Sequence, residues 1–184
     1  MDSSKNLQSS HDLDAFYEKE DPWSYDSTAD DQRRLETLLA ALPREKFSRT
    51  LDIGCGNGFV TAHLPGRNVF GIDLSQRAIE WARIRAKRVE KRIDYRQGSI
   101  FDIDKIFVAG GFDLIVVTGV LYPQYIGRAF NLLSIKLDQL LVDGGYLVLV
   151  HIHDWYKVGL PYKLLDRQIY PYREYDHLLE VYKK

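Results

Sequence analysis

Three glycines at alternate positions follow a short apolar run and form the motif of this chain with the clearest chemical meaning. Residues Leu51–Gly58 read Leu-Asp-Ile-Gly-Cys-Gly-Asn-Gly. Glycine has no Cβ atom, so the backbone of such a turn can approach a bound molecule closely. A second apolar run ends at Asp73, whose carboxylate can accept hydrogen bonds from both hydroxyls of a ribose. The spacing therefore predicts a nucleotide-binding turn with an acidic contact to the sugar.

The order of small residues in this turn distinguishes two classes of ligand. A dinucleotide-binding turn has the pattern Gly-x-Gly-x-x-Gly/Ala, and Phe59 occupies the position of its third small residue. Asp52, two residues before the first glycine, would repel phosphate oxygens and attract an amine. The turn therefore favours a cationic ligand over a pyrophosphate.

These residues resemble the first motif of the class I S-adenosylmethionine-dependent methyltransferases, Asp-x-Gly-x-Gly-x-Gly, in which the second strand ends in a ribose-binding acidic residue. Segments 112–117 and 141–149 resemble later strands of that family and follow in the family order. The resemblance implies an α/β, Rossmann-like class I methyltransferase fold with a mostly parallel seven-stranded sheet, an antiparallel last strand and helices on both faces. It also implies S-adenosyl-L-methionine as cofactor and S-adenosyl-L-homocysteine as product.

The same resemblance implies a set of cofactor contacts at the carboxyl ends of the strands. The family often has an aspartate after the glycine at position 98, where this chain has Ser99, so the contact to the adenine amino group stays open. The implied contacts within the core are Asp52, Gly54, Cys55, Gly56, Asn57, Gly58, Asp73, Leu74, Ser99, Ile100, Thr118 and Gly119.

The N-terminal segment resembles a narrower set, the nodulation-type N-methyltransferases and related small-molecule methyltransferases. The similarity lies in Asp21-Pro22-Trp23 and in residues 33–43. That set usually has an acidic residue where this chain has Gly119, so the same acceptor is not implied. The resemblance implies that the segment before the core folds over the cofactor, with Tyr17 and Trp23 as lid residues that contact it. The alternative is that these aromatic residues only hold the first helix in place.

Three residues are candidates for the chemistry of the acceptor. A methyl-transfer site chiefly positions the nucleophile and excludes water, and a hydroxyl nucleophile also profits from a general base. His151 and His153 leave the fifth strand two residues apart, so they point to one face and are the candidate bases. A packed, hydrogen-bonded histidine is the alternative for either. Tyr122 is the candidate aromatic contact to the sulfonium. No third ligand has a convincing spacing, so no metal site is predicted.

The elements that would position these residues alternate between strand and helix, which predicts a parallel sheet. The predicted strands lie near 50–53, 68–72, 94–97, 112–118 and 145–152. The predicted helices lie near 58–64, from Ser75 to about Lys91, and near 124–141, and another precedes the core between Thr28 and Pro43. A short helix near 161–167 and a hairpin of 168–172 with 177–183 are predicted to end the chain.

Length and composition predict one domain with a sizeable core, since the chain has 184 residues of which 45% are hydrophobic. Residues 1–13 are predicted to be a disordered tail and 14–184 a single methyltransferase domain, with a lid and helix at 14–48 and the Rossmann-like core at 49–184. The net charge of −1 and the lack of a bilayer-length apolar run disfavour nucleic acid and membrane as partners. The polar N-terminus and the single cysteine, Cys55, predict a cytoplasmic location.

Taken together, the sequence predicts an S-adenosylmethionine-dependent methyltransferase that acts, as a monomer or homodimer, on an amine or hydroxyl of a sugar-type or natural-product-type small molecule. Two alternatives stay open. The basic residues between Arg77 and Arg92 would suit an RNA or protein methyltransferase, although such a charge run is usually a solvated helix face. The other alternative is a non-catalytic module that retains the cofactor site.

Overall fold

The computed structural model describes residues 7–157 and 159–184, and its described strands form one seven-stranded sheet. The strands are β1 (Arg49–Ile53), β2 (Asn68–Asp73), β3 (Ile93–Gln97), β4 (Phe112–Thr118), β5 (Leu141–Ile152), β6 (Lys163–Tyr172) and β7 (Tyr175–Lys183). They lie in the order β3-β2-β1-β4-β5-β7-β6. Strands β1 to β5 are parallel, and β7 runs antiparallel to both of its neighbours. The predicted sheet, with its antiparallel last strand, is confirmed.

Six α-helices accompany the sheet in the described part of the chain. They are α1 (Ser10–Phe16), α2 (Ala29–Ala41), α3 (Gln76–Arg88), α4 (Ile103–Ile106), α5 (Pro123–Ile126) and α6 (Phe130–Leu140). Ser75 caps α3 as predicted, because its hydroxyl accepts a hydrogen bond from the backbone N–H of Ala78. Within the described ranges, no helix combines the length and apolar character needed to span a membrane.

Alternate residues of the central strands bury their side chains on opposite faces of the sheet, as the strand period of two requires. Ile115 of β4 packs in one buried cluster with Leu133 of α6, whereas the neighbouring Val116 packs in the other with Leu38 of α2. Helices therefore cover both faces. The strand order reverses between β1 and β4, and an open crevice forms at the carboxyl ends of strands at such a point.

The predicted tail is wrong where the structure describes it. A helix begins at Ser10, and Ser9 and Asp12 form a reciprocal capping box at its start. Leu13 of this helix is buried, so the segment gains enough apolar contact to become ordered. Residues 1–6 of the predicted tail lie outside the described residues.

Three predicted helices differ from the structure. The helix at 58–64 is only a 3-10 turn over Thr61–His63. The helix at 124–141 is divided into α5 and α6 at Gly127, which has a φ of 54° that ends α5. The helix at 161–167 is wrong because Lys163 onward forms β6, whose pairing with β7 overrides the local preference.

Candidate functional site

A cavity of about 580 Å³ lies at the carboxyl ends of the parallel strands, a volume typical of small-molecule sites. Its wall is built by the N-terminal segment, the loops after β1 to β5, and the turn between β6 and β7. Most of the predicted site residues lie in this wall: Tyr17, Trp23, Gly54, Cys55, Gly56, Asn57, Asp73, Leu74, Ser99, Ile100, Thr118, Gly119 and Tyr122. Asp52, Gly58, His151 and His153 do not belong to it.

The glycine turn after β1 adopts a backbone that side chains disfavour. Gly54, Gly56 and Gly58 have φ values of 79°, 52° and 81°, all in the left-handed region. A Cβ atom at Gly56 would lie 2.6 Å from the hydroxyl oxygen of Tyr17, so a side chain there would collide with the N-terminal segment. The turn thus needs glycine both for its conformation and for close approach.

Asp73, at the end of β2, accepts hydrogen bonds that hold the glycine turn in place. Its Oδ2 accepts a hydrogen bond of 2.9 Å from the backbone N–H of Gly56, and its Oδ1 accepts one of 2.9 Å from that of Ser75. Burial raises the pKa of this carboxyl, although the backbone donors act in the opposite direction. The carboxylate is therefore fixed in orientation at the cavity wall.

Asp52 lies beneath the turn and not in the cavity wall. Its side chain is fully buried, its Oδ2 accepts a hydrogen bond of 2.6 Å from the hydroxyl of Thr61, and its Oδ1 has no partner among the described residues. Burial raises the pKa of this carboxyl to about 7, against the effect of Thr61. In this arrangement Asp52 acts on a bound molecule only through the glycine turn.

Residues 10–28, which we call the N-terminal lid, cover the glycine turn. The Trp81 indole donates a hydrogen bond of 3.0 Å to the carbonyl of Tyr17, and the Asn57 side chain donates one of 2.9 Å to the carbonyl of Glu20. Trp23 stacks on Tyr25 with ring centroids 5.8 Å apart. Both predicted lid aromatics, Tyr17 and Trp23, thereby reach the cavity wall.

Several basic residues of α3 form ion pairs or hydrogen bonds with other parts of this chain. Arg85 forms an ion pair of 2.6 Å with Asp26 of the lid, and Arg88 pairs with Glu20 of the lid. Arg83 donates a hydrogen bond of 2.8 Å to the carbonyl of Tyr95. Two of the arginines in the charge run therefore fasten the lid, which gives them a role within the molecule.

A row of aromatic rings leads from the interior of the cavity to its mouth. The Tyr122 ring lies 5.8 Å from that of Tyr125 and 5.3 Å from that of Trp155, and Trp155 lies 5.7 Å from Tyr175. Burial raises the pKa of Tyr122 to about 12, so its hydroxyl stays protonated at neutral pH. Trp155 and Tyr175 are exposed and present apolar surface at the entrance.

Arg34 is a wall residue that the sequence analysis missed. Its guanidinium lies between the rings of Tyr25 and Tyr172, 5.1 and 5.3 Å from their centroids, and 3.6 Å from a carboxylate oxygen of Asp31. The side chain is buried, and its Nε has no partner among the described residues. A signal was present, because Asp31, Arg34, Leu35 and Leu38 share one helical face.

The two predicted histidines do not reach the cavity. His151 is fully buried, with its Nδ1 2.9 Å from the carbonyl of Ile152 and its Nε2 3.9 Å from Glu180. His153 lies beside Asp154, at 3.0 Å. The structure thus gives His151 the packed, hydrogen-bonded setting that is the alternative to a role as base.

A different histidine, His177 of β7, lines the cavity. It packs against Tyr172 with ring centroids 4.2 Å apart, and its Nδ1 lacks a hydrogen-bond partner in the described chain. Burial, aided by the positive charge of Arg34, lowers its pKa to about 3. Sequence reasoning could not find it, because its position depends on the register of the final hairpin.

In the described ranges, no group of three or more potential metal-ligating side chains converges.

The sequence of this chain matches a family model and is similar to those of several known proteins. A family model described as a methyltransferase domain matches residues 45–170. Nodulation protein S from Sinorhizobium fredii is 30% identical over 132 residues, which cover 70% of this chain and 59% of that protein. A ubiquinone biosynthesis O-methyltransferase from Pelagibacter ubique is 26% identical over 148 residues, which cover 66% of this chain and 59% of that protein. The chain thus spans about three fifths of the length of these two curated relatives.

A solved structure resembles the chain along nearly its whole length. The N-methyltransferase NodS from Bradyrhizobium japonicum WM9, in complex with S-adenosyl-L-homocysteine, superposes with a TM-score of 0.79 at 26% identity. The match covers 95% of this chain and 97% of that one.

Proposed function

Since the chain belongs to the methyltransferase-domain family, we propose that it binds S-adenosyl-L-methionine in the cavity and transfers the methyl group to an amine or hydroxyl of a small molecule. The observation that carries this proposal is the joint placement of the left-handed glycine turn and the Asp73 carboxylate at the carboxyl ends of β1 and β2. A cytoplasmic location and a monomeric or homodimeric state stay predictions.

The residues of the wall fit the parts of this cofactor. Asp73 retains acceptor capacity for the ribose hydroxyls, because each carboxylate oxygen can take more than the single backbone hydrogen bond it has. Ser99 and Ile100 line the wall beyond β3, where the adenine would be held. Arg34 is a buried guanidinium with an unpaired Nε, suited to the carboxylate of the amino-acid end.

The cofactor supplies a methyl group on a positively charged sulfur, which leaves as a neutral thioether. The aromatic row suits that charge, since an aromatic ring near a cation contributes about 0.5–2 kcal/mol. Tyr17 and Trp23 line the cavity from the lid, and Tyr122 and Trp155, with ring centroids 5.3 Å apart, line it as well. These residues would exclude water and hold the nucleophile in place.

The shape of the site supports a small acceptor. The lid closes over the glycine turn, and Arg85 and Arg88 of α3 form ion pairs with the lid. The exposed rings of Trp155 and Tyr175 at the mouth provide flat apolar surface for a sugar or another ring system. An acceptor of the sugar or natural-product type fits these features.

The test combines binding with product analysis. Calorimetry should show that S-adenosylhomocysteine binds the purified protein, and methyl-labelled S-adenosylmethionine should label one of three probes: glucosamine, tyramine or 3,4-dihydroxybenzoate. Gly56→Arg should abolish binding and transfer, because the arginine side chain would fill the cavity at the glycine turn. Asp94→Asn, at an exposed ion pair with Arg96 on β3, is the matched control. Absence of binding would contradict the proposal, and binding without transfer would favour a non-catalytic module.

A further inference from the structure

His177 is a histidine of the cavity wall. Its partner across the β5–β7 ladder, Ile152, also lines the cavity, whereas His151 lies one residue earlier and faces the other side of the sheet. His177 is 1% exposed, and its Nδ1 has no partner among the described residues. Buried polar atoms are normally hydrogen-bonded, so this nitrogen has an unmet capacity for a hydrogen bond at the cavity wall.

The surroundings of His177 carry an excess of positive charge. The charged and titratable groups around it are Asp31 and Arg34 of α2, His151 of β5, Tyr170 and Tyr172 of β6, and Arg173 of the following turn. Asp31 is shared by two guanidinium groups, at 2.7 Å from Arg173 and 3.6 Å from Arg34. Because one carboxylate serves two cations, the cluster disfavours a further positive charge on the imidazole. His177 is therefore neutral in this structure, and a neutral imidazole can accept a hydrogen bond.

We propose that His177 accepts the hydrogen bond, and then the proton, of the acceptor nucleophile, and that a carboxylate bound at Arg34 prepares it for that role. This inference rests on the proposed function. The nucleophile that takes the methyl group loses one proton, and the imidazole gains it and later releases it to water. A carboxylate beside Arg34 cancels the excess charge of the cluster, so the imidazolium becomes less unfavourable. The base would thus become effective only when the amino-acid end of the cofactor is in place.

The first test follows the imidazole directly by NMR of protein with ¹⁵N-labelled histidine, between about pH 4 and pH 8. The His177 signals are assigned by their loss in His177→Gln. In the free protein they should show that the imidazole stays neutral. Saturation with S-adenosylhomocysteine should raise the proton affinity of His177 at least about tenfold, which is one unit of pKa. The exposed His63 should not change. An unchanged His177 at saturation would overturn the inference.

A second experiment needs no ligand, so it tests this inference independently of the proposed function. Arg34→Met should raise the proton affinity of His177 in the free protein, because it removes the same positive charge. If S-adenosylhomocysteine does not bind, the proposed function fails, and this arm still decides whether Arg34 controls His177. No change of His177 in Arg34→Met would overturn the inference.

The third arm uses the pH profile of transfer to the panel probe that is labelled. His177→Gln should lower kcat and remove the acidic limb of the pH profile. His63→Gln should leave both kcat and the acidic limb unchanged. A merely structural role would lower kcat without removing that limb. Retention of the limb in His177→Gln would contradict the assignment.

Discussion

The carboxylate of Asp73 accepts a hydrogen bond of 2.9 Å from the backbone N–H of Gly56, and this bond joins the end of β2 to the turn after β1. The two residues lie 17 positions apart in the chain, so the contact exists only because β1 and β2 pair in parallel. One side chain therefore both shapes the glycine turn and lines the cavity.

Replacing Asp73 should weaken cofactor binding strongly. Asp73→Ala leaves the N–H groups of Gly56 and Ser75 without their acceptor and removes the proposed ribose contact. Loss of hydrogen bonds to a charged group should reduce the binding free energy of S-adenosylhomocysteine by about 1.5–3 kcal/mol, measured by calorimetry. Asp94→Ala, at an exposed carboxylate paired with Arg96, should bind normally. Undiminished affinity in Asp73→Ala would remove the ribose assignment.

A side chain at Gly56 should interfere with the lid. Gly56→Ala places a Cβ atom 2.6 Å from the Tyr17 hydroxyl at a φ of 52°, so affinity for S-adenosylhomocysteine should fall. Removing that hydroxyl with Tyr17→Phe should restore part of the loss, whereas the backbone strain, about 1 kcal/mol, should persist. If the double variant binds no better than Gly56→Ala, the collision with Tyr17 is not the cause.

The ion pairs between α3 and the lid should control how often the lid opens. Asp26→Asn weakens the pair with Arg85, and an exposed pair of this kind is worth about 0.2–1 kcal/mol. Tryptic cleavage at the exposed Lys19 should therefore become about 1.5- to 5-fold faster. Added salt should speed cleavage of the wild type and reduce the difference between the two proteins. Equal rates at low salt would show that this pair does not hold the lid.

Asp52 should make the stability of the fold fall as the pH rises. The pKa of this buried carboxyl is about 7 in the folded protein, against about 3.9 in an unfolded chain. Between these values the unfolded chain has lost the proton that the folded protein keeps, so the free energy of unfolding decreases as pH rises from about 4 to about 7. The size of the effect is about 1.4 kcal/mol for each unit of pKa difference.

Urea unfolding of Asp52→Asn checks this dependence. The amide oxygen can still accept the Thr61 hydrogen bond but carries no titrating proton, so the variant should gain stability relative to the wild type as pH rises through that window. Asp94→Asn, on an exposed carboxylate, serves as the control. A constant difference between Asp52→Asn and wild type at all pH values would contradict the raised pKa.

The sequence by itself determined the glycine turn, the acidic residue at the end of β2 and the positions of the central strands along the chain. These features are local, because a left-handed turn requires glycine and buried parallel strands require apolar runs. Gly54, Gly56 and Asp73 could therefore be predicted as site residues from the sequence alone, and all three line the cavity. The parallel sheet followed from the alternation of strand and helix, whereas the seven-stranded fold with its antiparallel last strand was implied by the family resemblance.

Only the tertiary structure decided which charged and titratable groups face the cavity. His151 was a reasonable candidate at the end of β5, but strand pairing turns it away and aligns His177 with Ile152 in the wall. Arg34 reaches the site from a helix before the core, and its setting depends on the packing of Tyr25 and Tyr172 around it. Such placements depend on strand register and on contacts between residues distant in sequence, and a shift of one residue exchanges the faces of a strand.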